Sequence, residues 1–160
     1  MLNTKSNFKA SVRKSVNSSG VIVDNKRYII DEYELVIDLT RKDLESAKVV
    51  DVKHIPDGDG CFVIKQYDNG LYSYGYMCNQ EKDRPGHGGM WSSSAGTIFE
   101  ATGYEFIDVM AGSCVYALPI EQAKTLLPEG YFITRLGDRC QFDCGHQPHI
   151  YCVDNGVILD

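Results

Sequence analysis

Five residues in the C-terminal stretch could perform one specific piece of chemistry: Cys140, Cys144, His146, His149 and Cys152 fall within thirteen positions. Thiolate and imidazole are the preferred ligands of zinc, and four of them complete a tetrahedral structural site. Their spacing, Cys-x3-Cys-x-His-x2-His-x2-Cys, follows none of the standard finger or knuckle patterns, and five candidates for four places leave one spare. Free cysteine is also among the most buried residue types, so the same thiols can serve as small apolar core residues. A cysteine activated by His146 or His149 would be the catalytic alternative.

A second group lies at 84–94. Gly88 and Gly89, with Gly86, let a backbone approach a ligand closely. Ser92, Ser93 and Ser94 then suit the N-cap of a helix, whose free N–H groups and positive dipole end favour an anion. Arg84 and His87 would add charge and hydrogen bonds, and Trp91 a stacking surface. The run is neither a P-loop nor a dinucleotide fingerprint: no Gly-Lys-Ser/Thr closes it and no parallel crossover unit frames it. A third feature is the alternation of Tyr72, Tyr74 and Tyr76 along one arm of an expected hairpin. It places three tyrosines on one face, to stack flat ligands or to form the half-buried face of a sheet. No nucleophile elbow and no His-Glu-x-x-His is present, and the acidic pairs Asp57/Asp59 and Asp31/Glu32 carry no companions that mark acid–base work.

These residues need a frame, and the composition supplies one. The chain has 160 residues, 43% hydrophobic and 11% aromatic, which suits one domain with a core that needs no staples. Its net charge of −6 and pI near 5.2 argue against nucleic acid, which demands a basic surface. The acidic residues are scattered, so DNA mimicry gains no support. The first thirty residues lack an apolar signal segment, and no stretch is long enough to span a bilayer. A cytoplasmic protein with reduced thiols is the expectation, a disulfide framework the alternative.

Residues 1–19 are polar, with Lys9, Arg13 and Lys14 among Ser and Asn, and read as a flexible N-terminal arm before a single domain over 20–160. Within that domain, hairpin signals fall at 21–30 and at 61–77 around Asp68-Asn69-Gly70, where a type I′ turn is expected. A third lies at 150–159 around Asp154-Asn155-Gly156. Strands are expected at 34–39, 49–55, 106–110, 114–118 and 131–135. Thr40 with Asp43 caps a short helix over 41–48, a second helix spans 95–102 with Gly103 closing it, and a third starts at Pro119. The fold class that follows is α+β, a mainly antiparallel sheet built from hairpins with two or three short helices packed on it.

The segment Gly88-Gly89-Met90-Trp91-Ser92-Ser93-Ser94-Ala95-Gly96 resembles a Trp-Ser-Ser-x-x-Gly stretch of small uncharacterised proteins of tailed phages, in which a strand and a strand–helix unit follow. The likeness covers about a quarter of the chain, excludes the Cys/His tail and implies an origin, not an activity. Size, acidity and this resemblance point to a small, non-catalytic binding or modulator protein. It would be phage- or mobile-element-encoded, acting in the host cytoplasm on a host protein or an anionic small ligand. One alternative is an enzyme on a nucleotide-like or phosphorylated substrate, using loop 84–94 and a Cys/His group. The other is a component of a larger assembly, with residues 1–19 ordering on contact.

Overall fold

The computed structural model describes residues 8–23, 26–58, 60–78, 95–133, 148–152 and 157–158, with backbone alone for 16–30, 78 and 157–158. They form one ten-stranded sheet with three short helices. In chain order these are β1 (Ala10–Val23), β2 (Lys26–Ile37), α1 (Arg41–Glu45), β3 (Val49–Asp57), β4 (Gly60–Tyr67) and β5 (Tyr72–Cys78). There follow α2 (Ala95–Thr102), β6 (Phe106–Ala111), β7 (Cys114–Pro119), α3 (Ile120–Lys124), β8 (Tyr131–Ile133), β9 (Ile150–Cys152) and β10 (Val157–Ile158). The sheet runs β3-β4-β5-β7-β6-β2-β9-β8, with β1 and β10 also on β2. Every pairing is antiparallel except β2 with β6. An α+β fold of mostly antiparallel strands is therefore what the chain adopts.

The period-two alternation of the strands builds a core on each face. On β6, Ile107 and Val109 join Leu35, Ile37, Leu118, Ile120 and Ile150 in the larger cluster, which α3 covers. Phe106, just before them, faces the other way and joins Phe62, Ile64, Tyr72, Ala117 and Ile98 of α2. The three tyrosines of β5 fall on this second face. Tyr72 and Tyr74 pack on Phe106, with centroids 5.6 Å away in each case, and Tyr76 meets Phe62 edge-on at 5.1 Å. The stripe is thus part of the second core, on a strand flanked by β4 and β7.

Several sequence expectations change. Residues 10–19, assigned to a flexible arm, form the first part of β1 and pair along β2. The basic residues explain why. Arg13 sits directly opposite Glu34 and binds it at 2.7 Å, and Lys14 reaches Asp31 at 3.3 Å, so the charges are cross-strand partners. The 68–70 turn is a three-residue connection with Gly70 at φ 91° and its N–H bonded to Tyr67 C=O, not a two-residue type I′ turn. At the C-terminus, β9 and β10 do not pair with each other among the described residues. Both bond to β2, at Tyr33 and at Ile29–Tyr28. Pro119 ends β7 and caps α3, which stops at Lys124. The capping box at Thr40 forms as expected: its hydroxyl accepts from Asp43 N–H at 3.1 Å, and Asp43 accepts from Thr40 N–H at 2.9 Å.

Candidate functional site

The edge of β2 away from β1 carries three strands in succession. It bonds antiparallel β10 near Ile29, antiparallel β9 at Tyr33 and parallel β6 at Val36 and Ile37. β9 and β6 enter that edge only three residues apart, so beyond it they diverge. The sheet splits there, and a cleft of about 230 Å³ opens, lined by Glu32, Glu34, Asp108, Met110, His149 and Ile150 among others. Sites for ligands commonly form where neighbouring strands part in this way.

Each polar group in the cleft is held by a particular element. Glu32 lies on β2, and its Oε1 stands 2.6 Å from Nδ1 of His149, the residue before β9. A carboxylate can only accept, so Nδ1 carries the proton of this short, charge-assisted bond. Both side chains are largely buried, Glu32 16% and His149 11% exposed. Asp108 interrupts the apolar run of β6 on the α2 face. The row Tyr72–Ala117–Asp108 crosses three strands, and the short Ala117 side chain leaves room above it. Tyr74 uses that room to donate its hydroxyl to Asp108 Oδ1 at 2.8 Å. Asp108 presents open surface to the cleft but is closely ringed by protein. That burial raises its pKa above the ordinary carboxylate range, while the Tyr74 hydrogen bond pulls weakly the other way. Burial, followed by the neighbouring Asp108 charge, pushes the Tyr74 phenol far above its usual value. Ile107, Met110, Val115 and Ile150 supply apolar walls.

The chain matches no family model, no curated protein and no solved structure.

Of the expected tail ligands, Cys140, Cys144 and His146 lie outside the described residues. The other two have different surroundings. His149 is engaged by Glu32 in the cleft, while Cys152, a half-buried free thiol opposite Tyr131 in the β8–β9 register, belongs three residues further along. Alternation places positions 149 and 152 on opposite faces of an extended segment. Among the described residues no three His, Cys, Asp or Glu side chains form a metal-holding group. Arg84, His87, Gly88, Gly89, Trp91, Ser92, Ser93 and Ser94 also lie outside the described residues. Ala95 and Pro148, the first described residues after 79–94 and 134–147, both line the cleft.

From the sequence, Tyr74 stands out only as part of the tyrosine face and Glu32 only as half of an acidic pair without companions; Glu34 and Asp108 do not stand out as site residues at all. One signal was present: a carboxylate in the middle of Phe-Ile-Asp-Val-Met, a run apolar enough to be covered on both faces. Such a charge asks for a partner or an opening, and here it has both.

Proposed function

We propose that the protein is a non-catalytic binding protein that engages a protein partner by accepting a basic side chain, Lys or Arg, into the β6–β9 cleft. The observation that carries this is the gathering of Glu32, Glu34 and Asp108 around an opening with apolar walls. A volume of about 230 Å³ falls below the roughly 300–1,000 Å³ of pockets for drug-sized ligands and suits one long side chain. The aliphatic stem of Lys or Arg packs on Ile107, Met110 and Ile150 while its head meets the carboxylates, the dual character that makes such residues interface anchors. Glu34 is already balanced by Arg13, so Glu32 and Asp108 carry the recognition.

The same carboxylates oppose an anionic ligand or a phosphorylated substrate at this cleft. Those readings rest on loop 84–94, outside the described residues. The resemblance to tailed-phage proteins is what supports a host protein as the partner. The Glu32–His149 pair favours a second reading. A carboxylate that orients an imidazole is a general-base arrangement and also the outer-sphere support that metal-ligating histidines have, so an enzyme or a zinc site using His149 is the alternative.

Amide chemical-shift titration with acetyl-arginine amide, and with its norleucine counterpart as the uncharged control, tests the proposal. Saturable shifts at Tyr33, Met110 and Ile150 with the arginine compound, weakened by salt and lost in Glu32→Gln/Asp108→Asn, are expected. Equal shifts with the norleucine compound, or none at the cleft, would overturn it. One equivalent of zinc retained on native mass spectrometry and lost in His149→Ala would instead select the metal alternative.

A further inference from the structure

β3 ends the sheet. Its only strand partner among the described residues is β4, so among them no strand pairs with its other edge along Val49–Asp57. Natural edges are usually blunted against such pairing. This one has a register irregularity between Val49 and Asp51 and a proline at position 56, yet it exposes Val49, Val50 and Val52 at 45%, 59% and 40%. Three half-open valines on one edge strand are the apolar component of a contact surface.

The charges on this strand select its partner. Two copies of one strand can pair antiparallel about a two-fold axis normal to the sheet only if a residue sits opposite itself at the axis, because residues directly opposite must share a face. Centring on Asp51 opposes two carboxylates and centring on Lys53 opposes two ammonium groups. Centring on Val52 opposes Val52 to its own copy and places Asp51 of one copy against Lys53 of the other, twice. The same register sets Val50 against His54. Asp51 and Lys53 already share a face, in line with Gln66 and Ile64 on β4. Lys53 Nζ is anchored by donating to the Tyr104 hydroxyl at 3.0 Å, and an ammonium retains further donors for a carboxylate.

We propose that β3 is a homodimerisation edge, two copies pairing β3 to β3 about Val52 so that one sheet runs through both. The interface is independent of the cleft. A pairing confined to one strand edge forms a weak, concentration-dependent dimer.

Sedimentation velocity over a concentration series, with amide hydrogen exchange across 49–57, tests this on the full chain. The wild type should dimerise as concentration rises, with exchange slowing in β3. Asp51→Lys and Lys53→Asp should each oppose like charges across the axis and weaken dimerisation roughly tenfold. The double variant Asp51→Lys/Lys53→Asp restores the complementary pairs and should regain most of the dimer, although it too lacks the Lys53–Tyr104 bond. That recovery separates a pairing effect from a fold defect, which circular dichroism of each variant checks. A monomer at every concentration, a dimer indifferent to the single changes, or a double variant as weak as the singles would overturn the proposal.

Discussion

Asp108 shows how one residue's surroundings decide its behaviour. A carboxyl whose folded pKa is raised binds its proton more tightly folded than unfolded. Its contribution to stability is therefore greatest below the unfolded value near 3.8 and is lost as pH rises from there through the folded value. Asparagine keeps the acceptor for Tyr74 but never ionises. Asp108→Asn should match the wild type in acid and become the more stable protein as pH rises through that window, read by urea unfolding at a series of pH values. A difference that does not change with pH would refute the assignment. Tyr74→Phe removes the one interaction that lowers this pKa. The Asp108 carboxyl carbon should then titrate at still higher pH by NMR, with about 1 kcal/mol of stability lost.

At the scale of elements, Gly60 and Gln122 carry the clearest consequences. Gly60 opens β4 opposite Cys78, and a Cβ there would fall against the Met77 carbonyl and the Tyr76 ring. Backbone cannot yield as a flexible side chain does. Gly60→Ala should thus cost about 1–3 kcal/mol in denaturant unfolding. Gln122 on α3 is 3% exposed, and neither atom of its amide has a hydrogen-bond partner among the described residues. An unmade buried hydrogen bond costs about 1–3 kcal/mol. Methionine fills similar space without polar demands, so Gln122→Met should raise the thermal midpoint. A lower midpoint would show that the amide has a role the described contacts do not include.

For the molecule as a whole, the proposed cleft reading predicts how binding responds to pH. A cation in the cleft favours ionised Asp108, so affinity for a basic side chain should rise with pH through the Asp108 titration and flatten above it. Calorimetric titration over a series of pH values measures this, and Asp108→Asn should abolish the slope. What the sequence determined by itself was local. Thr40 with Asp43 capped α1, Gly103 closed α2, and alternating residues marked most strands, because backbone preference and side-chain period act over a few positions. Tertiary structure decided the rest. Nothing within residues 10–19 shows that Arg13 and Lys14 face Glu34 and Asp31, since the partners lie about twenty positions away. The terminal strands looked like a hairpin because the turn signal was strong, yet the open edge of β2 took both. The cleft unites Glu32, Asp108 and His149 across most of the chain's length. It exists because β9 and β6 share one edge of β2, and strand order is fixed by long-range pairing that local propensity does not encode.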